Sequence, residues 1–277
     1  MIAMSKLCIL IILAAGLLGC AVGFKKFVWF MSVGYGLAMS CIAASLCVLA
    51  LVHNIFAIPA LAIPFLAICA VIFIYGLRLG LFLLIRETKN AAYRKTLASA
   101  GGDKKMGFPI LLSMWFMNAG LFLMQTSPLY YRLQNISRGE AQSEIIFLWI
   151  GFGISLAGLL IEAVSDAQKS AQKKENPDMV ATKGLFKLCR CPNYFGEILV
   201  WTGVFVSGIP VLRGWLQWVV AVIGYICIVY IMFSGAKRLE LRQTKRCWKM
   251  PEYVEYANKT PIIIPFLPIY HLIDWRQ

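Results

Sequence analysis

The sequence predicts an all-α integral membrane protein, a bundle of about seven transmembrane helices, and three observations lead to that class. Of the 277 residues, 60% are hydrophobic and only 14% are charged, whereas about 25% of the residues in a soluble domain are charged. Apolar windows of about 20 residues, the length of a membrane-spanning helix, recur along most of the chain. Lys and Arg residues gather between these windows, as membrane topology requires.

Hydropathy gives the approximate extent of each span. The predicted spans, in chain order, are 5–24, 27–52, 55–77 with an extension to about 85, 108–126, 145–165, 196–212 and 214–235. Lys25 and Lys26 end the first span, while Pro59 and Pro64 are expected to kink the start of the third. Pro192 suits the first turn of a helix, so we expect the sixth helix to begin there.

Both ends of the chain allow a second interpretation. The first apolar segment ends in Leu-Leu-Gly-Cys at Cys20, which also looks like a lipoprotein cleavage box. A transmembrane helix is favoured because further spans follow at once. Residues 256–275 are apolar but contain Pro261, Pro265 and Pro268. This tail is therefore predicted to pack against the bundle or to lie at the membrane interface, not to span.

The net charge of +14 comes mainly from Lys and Arg residues in the loops between the predicted spans. With seven spans, 22 of the 27 Lys and Arg residues fall on one side of the membrane. The positive-inside rule then predicts an outside N-terminus and a cytoplasmic C-terminus. The expected membrane is the cytoplasmic membrane of a bacterium or the endoplasmic reticulum of a eukaryote. No nucleic-acid-binding motif is readable. We expect one membrane domain, residues 1–277, with its functional groups concentrated in the cytoplasmic half.

Familiar soluble-enzyme and metal motifs are missing from the sequence. Most of the nine cysteines lie in apolar spans, where a free thiol packs as a small hydrophobe. Cys189 and Cys191 form one C-x-C without a second Cys/His pair, so no metal site is predicted. Neither a Ser-His-Asp arrangement nor a glycine-rich phosphate loop is readable. A nucleotide, if bound, would be held by helices and loops.

Polar residues cluster where the sixth helix is expected to begin, in LFKLCRCPNYFGEI, residues 185–198. Arg190 precedes the helix, and Asn193 and Glu197 share one of its faces. An Arg beside a helix N-terminus is a natural phosphate site, and Tyr194 could stack on a base or a ribose. The alternative is a helix cap with an interfacial Tyr and a snorkelling Arg.

Three further stretches carry polar groups at a membrane edge. In 159–172, Glu162, Asp166 and Lys169 follow at helical spacing; the two acids could hold ribose hydroxyls or adenine amines, or form local salt bridges. In 74–86, Tyr75, Arg78 and Arg86 are the polar residues of a span, and an intramembrane Arg is either functional or snorkelling. Six basic residues in 237–249, among them Arg238, could instead bind anionic lipid headgroups.

These stretches occur together, in this order, in a known family. EAVSDAQK, GLFKLCRCPNYFGEILVW, and LE followed by Y..Y...T....IPFLP resemble the bacterial branch of the steroid 5-alpha-reductase superfamily, formerly labelled a domain of unknown function. The resemblance covers about residues 70–268, with the cofactor half at about 160–268. It implies an integral-membrane, NADPH-dependent reductase of carbon–carbon double bonds in steroids, sterols or enoyl lipids.

The resemblance also implies roles for individual residues. Tyr75 would polarise the substrate carbonyl while NADPH delivers hydride to the β-carbon. The residues implied to contact NADPH are Asp166, Arg190, Asn193, Tyr194 and Glu197, with Glu162, Lys169, Arg86 and Arg238 as weaker assignments. The expected partners are an apolar, steroid-like or lipid substrate and the membrane lipids.

Two departures from the family pattern leave alternatives open. Cys191 stands where the family has His, and no acidic residue precedes Glu87, although steroid reductases pair their Tyr with a Glu in the N-terminal half. Membrane methyltransferases that modify isoprenylcysteine or phospholipids carry a similar Arg-His-Pro-x-Tyr segment and use S-adenosylmethionine. A non-enzymatic lipid-binding protein on the same scaffold is the third possibility.

Overall fold

The computed structural model describes residues 2–99, 106–136 and 145–274, and within them all regular structure is helical. The α-helices are α1 Ile2–Cys20, α2 Val33–Val52, α3 Pro59–Lys89, α4 Ala91–Ser99, α5 Phe108–Ile136, α6 Ile145–Glu175, α7 Pro192–Gly208, α8 Gly214–Cys247 and α9 Pro251–Lys259. Short 3-10 turns connect several of them. The predicted all-α class is confirmed.

Within the described residues, seven helical segments are long and apolar enough to cross a membrane, which confirms the predicted number and makes the chain an integral membrane protein. They are Leu7–Phe24, Val33–Val52, Pro59–Lys89, Phe108–Asn135, Ile145–Glu175, Pro192–Val211 and Gly214–Cys247. As expected, α7 begins at Pro192. Pro64 and Pro128 both lie inside helices, because neighbouring helices in a membrane bundle can satisfy the backbone groups that proline releases.

Several helices continue beyond the predicted membrane edge. The helix α6 extends to Glu175 and α8 to Cys247, while α4 occupies part of a predicted loop. The extensions are rich in Ala, Gln, Glu, Lys and Arg, which favour helix but end a hydropathy window. Basic residues of the predicted loops at positions 104, 105, 138 and 276 lie outside the described residues.

The contacts divide the chain into two compact units. Unit 1 comprises Met1–Phe152 and Val204–Tyr225, and unit 2 comprises Gly153–Gly203 and Ile226–Gln277. The single domain expected from the sequence stays a prediction, and each unit is described by itself.

Unit 1 is built around a glycine-mediated crossing of α2 and α3. A Cβ atom on Gly36 would lie 2.5 Å from the carbonyl oxygen of Gly76, so the two backbones are in direct contact there. Near the end of α3, Glu87 accepts hydrogen bonds from Lys26 Nζ at 2.9 Å and from Trp29 Nε1 at 2.8 Å. These bonds tie the turn after α1 to the last turns of α3.

Unit 2 contains an equally close crossing, between α6 and α7. A Cβ atom on Gly196 would lie 2.7 Å from Gly158 O and 2.8 Å from the backbone N of Glu162. Ser155 Oγ donates a hydrogen bond to Val200 O at 2.8 Å on the same pair of helices. The tail does not form a spanning helix; Ile262 and Ile263 are buried in a cluster with Cys191, Ile198 and Ala236.

Gly196→Ala is expected to destabilise the protein by about 1–3 kcal/mol, the usual cost of overpacking. The new methyl group would meet backbone atoms of α6 that cannot rotate away. A lower thermal midpoint in detergent would show the effect. Gly153→Ala is the matched control, because a Cβ atom there meets nothing within 4 Å. Equal midpoints for the two variants would contradict the close crossing.

Candidate functional site

Arg190, one of the predicted site residues, is buried and held by several contacts. Its side chain is only 3% exposed, and its backbone N–H donates to Pro261 O at 2.8 Å. Guanidinium Nη2 donates to Glu240 Oε1 at 2.6 Å and to the backbone oxygen of Tyr270. The buried Nε and Nη1 nitrogens have no hydrogen-bond acceptor among the described residues. Arg190 is therefore held from one side and retains two buried donors.

Glu240 on α8 organises this arrangement and was not predicted as a site residue. It is 1% exposed, and its Oε2 accepts the backbone N–H of Leu272 at 2.8 Å. His271 Nδ1 lies 3.0 Å from Glu240 Oε1, and His271 Nε2 lies 2.9 Å from Asn258 Oδ1. Two sequence signals pointed to Glu240: it is the single acid among the basic residues of 237–249, and it is the Glu of the LE segment in the family resemblance.

Two tyrosines of α9 hold neighbouring segments in place. Tyr256 OH donates to Phe186 O at 2.7 Å, just before Arg190 in the chain. Tyr253 OH lies 3.0 Å from Thr244 Oγ1. Burial raises the pKa of both phenols, so both hydroxyls stay protonated at neutral pH.

Cys191, which stands where the resembling family has His, is a packing residue in unit 2. It is 2% exposed and belongs to the apolar cluster around Ile262. Burial raises the pKa of its thiol to about 11, although the positive charges of Lys169 and Arg190 act in the opposite direction. The thiol is therefore neutral at physiological pH.

Three acidic residues of the predicted site are buried in unit 2. Glu162 and Asp166 on α6 are 2% and 6% exposed, and Glu197 on α7 is 7% exposed. The glycine crossing brings α7 directly against Glu162, whose Cβ would lie 3.0 Å from a Cβ on Gly196. Buried carboxylates at a membrane edge are suited to accept hydrogen bonds from hydroxyl or amide groups.

The remaining predicted residues have more varied surroundings. Asn193 and Tyr194 are half-buried, and the Tyr194 ring lies 3.4 Å from a Cβ position on Gly235 of α8. Arg238 belongs to unit 2 but is exposed. Tyr75 and Arg86 belong to unit 1.

Within unit 1, Arg86 and Tyr75 make different contacts. The Arg86 guanidinium lies 4.0 Å from the centroid of the Tyr93 ring, an arrangement of the cation–π kind. Tyr75 is completely buried, and its hydroxyl donates to the hydroxyl of Tyr35 at 3.1 Å. Tyr35 was not identified from the sequence, where nothing distinguishes it from other aromatic residues of apolar spans.

A surface groove of about 360 Å³ lies elsewhere in unit 2. Its lining residues are Met179, Thr182, Glu252, Glu255, Tyr256, Lys259 and Thr260. None of these is a predicted site residue. The two unsatisfied donors of Arg190 lie among the predicted site residues and are of the kind that bind phosphate.

Comparison with known proteins identifies the family of the chain. A family model described as "Protein of unknown function (DUF1295)" matches residues 28–260. Steroid 5-alpha-reductase DET2 of Gossypium hirsutum is 25% identical over 167 residues, which is 58% of this chain and 58% of that protein. The 3-oxo-5-alpha-steroid 4-dehydrogenase 1 of Macaca fascicularis is 30% identical over 120 residues, 43% of this chain and 40% of that protein.

The matched part of each relative is limited. The aligned regions span about half the length of the curated relatives, 58% and 40% in these two cases. An uncharacterized protein of Schizosaccharomyces pombe, C7D4.09c, is 26% identical over 164 residues. No solved structure matches the chain significantly.

Proposed function

The chain belongs to the family described as "Protein of unknown function (DUF1295)", and on that premise we propose that it is a membrane-embedded, NADPH-dependent reductase. Its substrate would be a steroid, sterol or other lipid in which the reducible carbon–carbon double bond is conjugated to a carbonyl. Two of its relatives are named as steroid reductases or dehydrogenases. The coarse assignment to a membrane oxidoreductase rests on this homology.

The observation that carries the cofactor assignment is the state of Arg190. Nε and Nη1 are buried without an acceptor among the described residues, and leaving such donors unsatisfied is costly. A phosphate oxygen of NADPH would satisfy them with charge-assisted hydrogen bonds. Glu240 and Tyr270 O hold the guanidinium from its other nitrogen and so fix its orientation.

Other residues of unit 2 are proposed to complete cofactor binding. The carboxylates of Glu162, Asp166 and Glu197 would accept hydrogen bonds from ribose hydroxyls or from amide and amine groups. Asn193 would contribute amide donors at the start of α7, and Tyr194 would stack on a ring. Lys169 adds positive charge, whereas the exposure of Arg238 supports a peripheral contact at most.

In the proposed reaction Tyr75 donates a hydrogen bond to the substrate carbonyl. NADPH, if bound, would supply the hydride for the β-carbon. The double-bond electrons would move to the carbonyl oxygen, and a proton from water would be added at the α-carbon to give the saturated ketone. The Tyr75 hydroxyl stabilises the charge that develops on the oxygen. Tyr75 is completely buried, and a water-free setting strengthens a hydrogen bond of this kind.

The orientation proposed from the sequence is consistent with a cytosolic cofactor. The positive-inside rule assigns the N-terminal end of α7, and with it Arg190, to the cytoplasmic face. NADPH would then reach unit 2 from the aqueous side.

The proposal predicts that NADPH stabilises the purified, detergent-solubilised protein. A ligand that binds only the folded state adds about 2.7 kcal/mol at a hundredfold excess over its dissociation constant, which is measured as a rise in the thermal midpoint. NADH and S-adenosylmethionine are the comparison ligands. Stabilisation by S-adenosylmethionine alone would identify a methyltransferase, and stabilisation by none of the three would favour a lipid-binding protein without this cofactor.

A further inference from the structure

Tyr35 and Tyr75 form a hydroxyl pair inside the membrane-spanning part of unit 1. Their oxygens are 3.1 Å apart, and Tyr75 donates. Tyr35 is 7% exposed and Tyr75 0% exposed. Their rings meet edge to face with centroids 6.2 Å apart. Both the hydroxyls and the rings are therefore held in one fixed relation.

The backbone explains why these two side chains meet. Tyr35 is adjacent to Gly36 on α2, and Tyr75 is adjacent to Gly76 on α3. The glycines bring the helices into backbone contact, since a Cβ on Gly76 would lie 2.4 Å from Gly36 O. Each tyrosine is thus anchored beside the point of closest approach, where neither helix can slide without a steric clash.

A third helix closes the pair from another side. Phe122 of α5 packs against Tyr35 with ring centroids 5.2 Å apart, and it is 2% exposed. In such a dry, apolar setting a hydrogen bond between hydroxyls is stronger than in water, and one hydroxyl polarises the next.

We propose that Tyr35 is the positioning residue of Tyr75, an inference that rests on the reductase function proposed above. Without substrate, the Tyr35 oxygen accepts a hydrogen bond from the Tyr75 hydroxyl and so fixes the orientation of that hydroxyl. When Tyr75 turns its proton to a substrate carbonyl, the Tyr35 hydroxyl rotates and donates to the Tyr75 oxygen. A hydroxyl that receives a hydrogen bond is a better donor, so negative charge on the carbonyl oxygen is spread over two phenols.

This arrangement needs no buried carboxylate next to Tyr75. No Asp or Glu occurs before Glu87 in the sequence, so the pair uses neutral groups where a charge would be expensive in the membrane. A phenol hydroxyl can both accept and donate a hydrogen bond, so the hydrogen bond between Tyr35 and Tyr75 can reverse its direction.

The test compares two steroid ligands. Cholestenone is an enone, and cholestene has the same carbon skeleton and double bond but lacks the carbonyl. Binding to the full-length protein is measured in detergent with NADP⁺ present to prevent turnover. Tyr35→Phe is expected to raise the dissociation constant of cholestenone about two- to tenfold, the equivalent of one neutral hydrogen bond. The constant for cholestene should not change, because the packing of the ring is retained.

Two further variants separate a positioning role from a structural one. Tyr75→Phe should weaken cholestenone binding at least as much as Tyr35→Phe does. The double variant should lose no further affinity, because Tyr35 acts through Tyr75. Tyr130→Phe removes a hydroxyl from another buried tyrosine of unit 1, 3% exposed, and should bind both ligands like the wild type.

Three results would overturn the proposal. The first is an unchanged cholestenone affinity in Tyr35→Phe, and the second is an equal loss of affinity for both ligands in that variant. The third is a wild-type protein that binds cholestene as tightly as cholestenone. The NADPH stabilisation of the same preparation is measured in parallel. If it persists while the Tyr35 effect is absent, the reductase assignment stands and only the hydroxyl pair is refuted; if it is absent, the reductase assignment itself fails.

Discussion

Glu240→Ala is expected to destabilise the protein by about 3–5 kcal/mol, the cost of breaking a buried ion pair by removing one partner. The substitution leaves the Arg190 guanidinium buried with its charge uncompensated, since the paired side chains are only 3% and 1% exposed. It also removes the acceptor of the Leu272 N–H and the contact to His271. The measurement is the thermal midpoint in detergent without added cofactor.

Two comparisons show whether the loss comes from the buried charge. Glu255→Ala removes an acid from an exposed pair with Lys259 in the same unit and should leave the midpoint nearly unchanged. The double variant Arg190→Met/Glu240→Leu removes both charges, so it should recover much of the stability that Glu240→Ala loses. Equal midpoints for the two Glu→Ala variants would contradict the described burial of the pair.

Arg190→Lys is expected to weaken NADPH binding about ten- to hundredfold, the equivalent of losing one charge-assisted hydrogen bond. Lysine keeps a positive charge near Glu240, so the fold should survive. It does not supply the planar array of donors to which the unsatisfied Nε and Nη1 nitrogens belong. Titration of the folded variant with NADPH, followed by nucleotide fluorescence or thermal stabilisation, gives the dissociation constant.

The control for this titration is Arg242→Lys, the same chemical change at an exposed residue of α8 in unit 2. It should bind NADPH like the wild type. If Arg190→Lys is folded and keeps wild-type affinity, Arg190 has no place in the cofactor site. The role of Glu240 in stability would be unaffected by that result.

The architecture was largely readable from the sequence because it depends on local patterns. Long apolar windows separated by Lys and Arg gave the seven spans, and Pro192 marked the first turn of α7. The errors lay at the helix ends, most clearly at α8, which continues to Cys247. Hydropathy reports where the membrane ends, whereas helix propensity and tertiary contacts decide where the helix ends.

The candidate site was readable only in part because its key contacts are remote in sequence. Arg190 was identifiable from its position before a helix N-terminus, but its partners Glu240 and Tyr270 lie 50 and 80 positions away. Tyr35 lies 40 positions from Tyr75 and sits in an apolar helix without a polar pattern. Helix periodicity shows which face a residue occupies, but it does not show which helix faces it.

The distance between Arg190 and its partners has a consequence for biogenesis. The residue that binds its Nη2 through the backbone, Tyr270, is synthesised 80 positions later, about 4–16 s at about 5–20 residues per second. For the first 50 positions of that interval α7 has to enter the membrane with an unpaired cation at its edge, because the carboxylate that pairs with Arg190, Glu240, lies near the end of α8. A nascent chain that stalls before residue 240 would therefore leave unpaired a charge that the finished protein buries and pairs, a feature by which membrane quality control could distinguish the two.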